Sequence, residues 1–422
     1  MHRSPMLCGA NNHKTINDLV FISLFSFQLV TYIPLPLNLS TIIYIGFIIV
    51  LGICNIRACN LKFKVHRLDN LFAAVFFILL ARLIYDLLIV QTYHNIFVNR
   101  ITYFVYFISL TIFPFVLIRS LGAYKDLIKR NISVLLILHT TALLLSLYYN
   151  INHMLAGVSL GFRFSANINL DTIGYGYLSL TQISLSLTYY WLSNKRLLNC
   201  LYVFILLLLG TVSLIMANSR SPIGALIVIV IFLLFYFKKK VIIILSISVV
   251  IISLPFIYRI DKILTDEYRI YTLNRILNAV EGDSSNRDIL FKDGVKMIEE
   301  NPLFGKSFVL QDPHSIGYGG YVHNFFLEAF MSAGFLGGIL FLLINVCVLY
   351  ASFYISYKDK SYLLFTMYFL QHFVLSFISR SMYNMPSYWI SIAFVYSAYL
   401  YERYLHSSKL IIRENERCFT DI

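Results

Sequence analysis

Residues 221–237 read SPIGALIVIVIFLLFYF without a charged residue, and Lys238, Lys239 and Lys240 follow at once. About 20 apolar residues are enough for a helix to cross a bilayer, and runs of this kind recur along the 422-residue chain. That recurrence constrains the fold more than any single motif does. Hydrophobic residues make up 59% of the chain and charged residues 13%. A soluble domain carries about 25% charged residues, so lipid is the expected solvent.

Twelve spans are expected, at roughly 16–33, 38–55, 70–92, 100–118, 131–150, 171–192, 200–217, 221–237, 241–258, 323–355, 361–379 and 384–402. The fold class is therefore all-α, a polytopic integral membrane protein with about 12 transmembrane helices. Nine spans occupy 16–258, a large extracytoplasmic loop 259–322, the last three spans 323–402, and a cytoplasmic tail 403–422. The tenth run is long, and its start could be a re-entrant or interfacial piece ahead of the true span near residue 333.

Orientation follows from the Lys/Arg bias of the loops. One set holds Arg57, Lys62, Lys64 and Arg67, then Arg119, Lys125, Lys129 and Arg130, then Lys195 and Arg196, and the lysines at 238–240. Arg3, Lys14, Lys358, Lys360, Arg403, Lys409, Arg413 and Arg417 complete it. The alternate set is almost bare outside one long segment, so both termini are expected in the cytoplasm. The net charge of +13 belongs to those cytoplasmic loops and not to a nucleic-acid partner. Residues 1–15 are polar and lack a small-residue cleavage site, so no removable signal peptide is expected. All six cysteines fall on the cytoplasmic side or inside spans. No disulfide is expected there, and no C-x-x-C pair points to a metal.

The outer face has one large feature, residues 259–322. Two helical stretches are expected in it. The first ends near Gly282; the second is capped by Ser284, Ser285 or Asn286 and stops at Asn301-Pro302. PLFGKSFVLQDPHSIGYGGY is too rich in Gly and Pro for regular structure. Ile289, Leu290, Val295, Met297 and Ile298 predict that the second helix is docked.

Elsewhere on this face each basic residue is a single arginine: Arg100, Arg163, Arg220 and Arg380. Guanidinium presents a planar fork that grips phosphate through two hydrogen bonds. With Arg287 of the long loop, these arginines could line a cavity for an anionic lipid headgroup. Snorkelling to the headgroup layer is the bland alternative, which lysine would serve equally well; that all four are Arg favours phosphate. His323, next to Asn324, stands where the long loop re-enters the membrane. An unperturbed imidazole titrates near pH 6.5 and suits a general base; a polar interfacial residue is the other reading. Arg82 and Asp86 lie four apart on one face of the third span, as a functional pair or as an ion pair that satisfies itself. His372 and Gln371 sit mid-span and His139 nearer the inner face; the two histidines are assigned to packing or helix–helix hydrogen bonds. IGYG occurs at 173–176 and 316–319 without a wider repeat and is treated as coincidence.

Three segments carry a family resemblance: ANSRSPIGALIVIVIFLL at 217–234, NRDILFKDGVKMIEENPLFGKS at 286–307 and VHNFFLEAFMSAGFLGGILFLL at 322–343. Together they resemble the O-antigen polymerase and O-antigen ligase superfamily, integral membrane glycosyltransferases that use undecaprenyl-diphosphate-linked saccharides. The resemblance implies that Arg220 and Arg287 bind the lipid diphosphate, with Arg163 and Arg380 as further candidates, and that His323 is catalytic. It implies a metal-free mechanism with no cofactor. Asn324, Glu328 and Asp171 are candidates for orienting an acceptor sugar. Implied partners are the undecaprenyl-diphosphate-linked oligosaccharide, membrane lipid and a chain-length regulator protein, although no docking motif for such a protein is present. Family members commonly carry PLFGxG, whereas Ser307 replaces the second glycine here. Within this class the polymerase leads, a ligase differs only in its acceptor, and a flippase for the same lipid-linked unit is the non-enzyme rival. The implied place is the bacterial inner membrane, with the site facing the periplasm.

Overall fold

The computed structural model describes residues 8–32, 37–59, 66–90, 100–155, 172–194, 196–217, 219–237, 287–310 and 320–420. These residues are helical, with no strand among them. The α-helices are α1 (Cys8–Phe25), α2 (Leu37–Cys59), α3 (Arg67–Tyr85), α4 (Arg100–Phe107), α5 (Phe113–Ser120), α6 (Tyr124–Leu155) and α7 (Thr172–Leu192). Then come α8 (Leu197–Met216), α9 (Arg220–Phe237), α10 (Arg287–Glu300), α11 (Phe325–Lys358), α12 (Leu363–Ser376) and α13 (Pro386–Thr420). A π-helical turn at Asp86–Val90 extends α3, and another at Ile108–Ile112 joins α4 to α5.

Each expected run that falls on described residues coincides with helix. The ninth run, 241–258, lies outside the described residues, as do Arg163, Asp171 and the first helical stretch of the long loop. Several boundaries differ: α1 begins at Cys8, and α6 runs over Tyr124–Leu155, beyond both ends of the expected run. Helix α1 ends at Phe25 and a 3-10 turn, Phe27–Tyr32, completes the first run. Helix α13 continues to Thr420, through residues expected to form a separate tail.

Among the described residues, seven helical segments are long and apolar enough to cross a membrane. Helices α1, α7, α12 and α13 fall outside that set: α12, at 14 residues, is too short, and α7 and α13 are lined by protein. Residues 175–186 of α7, 363–372 of α12 and 386–400 of α13 are almost entirely enclosed by protein. A helix that never meets lipid need not be uniformly apolar. Helix α7 carries Ser179, Thr181, Ser184, Ser186 and Thr188, whose hydroxyls each donate to the carbonyl four residues earlier at 2.8–3.0 Å. Trp389, Tyr388 and Phe394 of α13 pack with Phe365 and Tyr368 of α12 in the main core. Phe77, Leu208, Ile227 and Phe235, on peripheral helices, are exposed instead.

Helix α11 is broken once, at Gly334, with φ 63° and ψ −166°. Residues 325–333 thus form a short helical piece ahead of the main span, as the length of the tenth run suggests. The break is filled by Pro302-Leu303-Phe304-Gly305. The Phe335 N–H donates to the Pro302 carbonyl at 2.7 Å, and the Lys306 N–H to the Met331 carbonyl at 2.9 Å. A Cβ at Gly334 would lie 2.2 Å from the Leu303 oxygen, and one at Gly305 would lie 2.4 Å from the Ser332 carbonyl carbon. Both glycines have positive φ, so conformation and space each demand glycine.

Candidate active site at the junction of the long loop and helix α11

The loop segment that fills this break is clamped by the intramembrane pair. Arg82 donates from Nη1 to Asp86 Oδ1 and to the Lys306 carbonyl, both at 3.1 Å. Its Nη2 donates to the carbonyls of Phe304 and Gly305, each at 2.7 Å. Asp86 is fully buried, and its Oδ2 accepts the Phe308 N–H at 2.9 Å. A buried ion pair is stable only when its remaining donors and acceptors are satisfied; here the loop backbone supplies them. Ser307 is buried, its hydroxyl accepts the Val309 N–H at 3.1 Å, and it lies within hydrogen-bonding reach of Asp86. A glycine at 307 could do neither.

Helix α10 docks on the first turns of α11. Leu290, Met297, Leu310, Val322 and Met331 form a separate apolar cluster, with Ile298 and Leu327 against it. A Cβ at Gly294 would meet Val322 Cγ1 at 2.7 Å, so α10 crosses close beneath the residue preceding His323. Three of the five apolar residues expected to dock do so. Ile289 and Val295 are exposed, at 42% and 44%, on the other face of the helix.

Arg287 opens α10 and Arg220 opens α9. Burial, and then the positive charge of Arg220, holds the Arg287 guanidinium below its ordinary value. Two cations within electrostatic reach repel each other, and an anion between them would relieve that repulsion. Next to Arg220, the buried Ser221 and Pro222 face α7, whose Tyr177 lies within electrostatic range of Arg380. Gly176 permits this approach of α7 to the start of α9: a Cβ there would meet Pro222 Cγ at 2.5 Å. Arg220, Arg287 and Arg380, expected on one face of the membrane from loop charge alone, are thereby brought to one end of the bundle.

His323 has φ 54° and Arg380 φ 69°, and with Ala123 they are the non-glycine residues of positive φ among those described. Left-handed backbone is unfavourable for residues with a Cβ, and such outliers cluster at functional sites. The His323 ring lies against Tyr321, with centroids 4.3 Å apart. Asn324 caps α11: its Oδ1 accepts the Leu327 N–H at 3.0 Å, and its Nδ2 donates to the Phe377 carbonyl at 3.2 Å. One turn on, Glu328 is fully buried. Its Oε1 accepts the Ser381 hydroxyl at 2.5 Å and its Oε2 the Met382 N–H at 2.7 Å. Two of the three acceptor-orienting candidates therefore have protein partners at both polar atoms; Asp171 lies outside the described residues.

Deeper in the bundle His372 makes the kind of contact expected of it, in a cluster with Gln371 and Gln28. Gln371 Nε2 donates to Thr181 Oγ1 at 2.8 Å, and His372 Nε2 lies 3.2 Å from Gln371 Nε2 and 3.4 Å from Gln28 Nε2. His139 meets the Leu135 carbonyl of its own helix at 2.9 Å. Tyr177, Ser221 and Tyr321 are the site's neighbours that sequence reasoning missed. The one available signal for Tyr177 was the preceding IGYG, whose Gly176 is the close-approach position. Among the described residues no group of three His, Cys, Asp or Glu side chains is placed to hold a metal ion.

Residues 203–342 match the family model described as O-antigen ligase. That stretch contains Arg220, Arg287, His323 and the helix break at Gly334. A search of curated proteins found no match.

Proposed function

We propose that this multi-pass membrane protein, whose residues 203–342 match the family model described as O-antigen ligase, is a membrane glycosyltransferase that polymerises undecaprenyl-diphosphate-linked oligosaccharide repeat units into a surface polysaccharide. The reaction takes place on the periplasmic face of the bacterial inner membrane. The observation that carries this reading is that Arg220 and Arg287, at the starts of α9 and α10, lie within electrostatic range of each other, with α10 packed against the residue before His323.

The donor sugar is joined through its anomeric carbon to the lipid diphosphate. As that bond breaks, negative charge grows on the diphosphate oxygens and positive character on the sugar ring. Arg220 and Arg287, with Arg380 beside Tyr177, stabilise the leaving group through charges already in place. His323 takes the proton of the attacking acceptor hydroxyl, whose oxygen bonds to the anomeric carbon from the opposite side. The product is an inverted glycosidic bond and a free lipid diphosphate. Neutralisation of the leaving group is assigned to guanidinium and not to a bound cation. Arg82 and Asp86 hold the loop that delivers these groups and make no contact with substrate in this scheme.

The family description favours a second reading, a ligase that moves finished glycan to a lipid core or a protein. It needs the same diphosphate site and the same base, so only the acceptor differs. The test is a surface-glycan gel from the host with this gene deleted, then restored as wild type or as His323→Ala. A single repeat unit on the lipid core, with the ladder rescued by wild type alone, means polymerase. A bare core with long polymer still on the carrier lipid means ligase. A bare core with single units held at the inner leaflet means lipid-linked-unit flipping, and the proposal fails.

A further inference from the structure

The two candidate site residues with left-handed backbone, His323 and Arg380, are tied to the same helical turn. Asn324, next to His323, bonds the Phe377 carbonyl at the start of the turn that carries Arg380. Glu328 takes hold of its far side through Ser381 and Met382. The Glu328 N–H donates to the Asn324 carbonyl at 2.9 Å, so both grips belong to one rigid unit. Further bonds finish the turn: Tyr383 N–H to Ser381 Oγ at 3.3 Å, and Trp389 Nε1 to the Met382 carbonyl at 2.8 Å. Arg380 thus sits between two anchors that both come from the first turn of α11.

We infer that Glu328 is a positioning residue for the anion site, fixing Arg380 against the lipid diphosphate by holding the 377–382 turn to the helix that carries His323. This rests on the proposed function and adds to it a role for a residue that touches neither sugar nor phosphate. The chemistry calls for a carboxylate. Two donors, a hydroxyl and a backbone N–H, reach two different oxygens of Glu328. Glutamine keeps its oxygen toward the Met382 N–H and turns its amide nitrogen to the Ser381 hydroxyl, which can accept as well as donate, so the short bond from that hydroxyl is replaced by a weaker, reversed one. Alanine loses both and opens a cavity in a fully buried position. A turn with a left-handed arginine relaxes once its far anchor is released.

The test is binding of undecaprenyl diphosphate, the leaving group itself, to full-length protein in nanodiscs, for Glu328→Gln, Ser381→Ala, Arg380→Ala and the Glu328→Gln/Arg380→Ala pair. Ser381→Ala removes one grip from the other partner and leaves the carboxylate in place, which guards against a folding defect peculiar to position 328. The expected result is binding weakened about tenfold by Glu328→Gln and by Arg380→Ala, the loss typical of a charge-assisted contact, with a smaller loss for Ser381→Ala. In the Arg380→Ala background Glu328→Gln adds nothing, because residues acting through one group are not additive. Losses that multiply in the pair, or Glu328→Gln binding at the wild-type level, overturn the role of Glu328 while leaving the function intact. Failure of the wild-type protein to bind the lipid diphosphate overturns the functional reading, and the role of Glu328 with it.

Discussion

Arg287 and Arg220, separated in sequence by α9, the apolar run 241–258 and the first part of the long loop, lie close enough for one charge to act on the other's ionisation. Each opens a helix. An anion placed between two like charges is attracted by both. Replacing either arginine by alanine is expected to lower glycan transfer by about 10²–10³-fold, the cost of removing one preorganised donor. Lysine keeps the charge but loses the planar fork, so Arg→Lys falls between alanine and wild type. The double alanine variant falls short of the product of the single losses. Transfer rates normalised to membrane-inserted protein check this, and wild-type rates in Arg287→Ala would contradict it.

The break in α11 makes a sharper prediction about folding. Gly334→Ala places a methyl group 2.2 Å from the Leu303 oxygen at a residue with φ 63°. Nothing there is a flexible side-chain end, so the backbone of the 302–305 segment must move. The expected cost is about 3 kcal/mol or more, within the class of large single-residue effects. Gly224 of α9 is the control, since a Cβ there meets nothing within 4 Å. Gly224→Ala should be neutral or stabilising by up to about 1 kcal/mol through helix propensity. Thermal unfolding of both variants in detergent separates the two outcomes.

Arg82→Ala removes the donor to three loop carbonyls and leaves Asp86 buried without its partner. Breaking a buried pair on one side costs about 3–5 kcal/mol. The loss should appear first as faster proteolysis within 302–310, with the apolar helices still inserted. Asp86→Asn keeps one acceptor for the Phe308 N–H and should be milder. Equal protection of the loop in Arg82→Ala and wild type would show that the clamp is dispensable.

Docking of α10 is tested by comparing its two faces. Met297→Ala on the docked face, where Met297 is 5% exposed, is expected to cost about 2–3 kcal/mol locally and to displace Arg287, raising KM for the lipid-linked donor. Val295→Ala, at 44% exposure, should leave KM within about twofold, as surface changes away from special features do. Equal KM values in the two variants would mean that α10 does not position Arg287.

Much of this arrangement was legible in the sequence because it is written in local signals. Arg287 leads a helix that stops before Pro302, and Asn324 is a recognisable cap before an apolar run. What stayed hidden depends on partners without a sequence signature. Arg82 and Glu328 bind backbone groups of Phe304, Gly305, Lys306 and Met382, and any residue type has a backbone carbonyl or N–H. Ile289 and Val295 were read as docking residues because hydrophobicity does not say which face meets protein. The span count shows the same limit from the other side: α7 and α13, almost enclosed by protein, fall below the crossing criterion, and α12 is too short for it.

The measurement that tests the central claim most directly is transfer by purified protein in nanodiscs, with a polyprenyl-diphosphate-linked repeat unit serving as both donor and acceptor. Wild type should form the longer lipid-linked glycan and release free polyprenyl diphosphate. His323→Ala should bind the donor with unchanged affinity and turn over about 10²–10⁴-fold more slowly, the contribution of a placed general base. Undiminished turnover in His323→Ala would contradict the account.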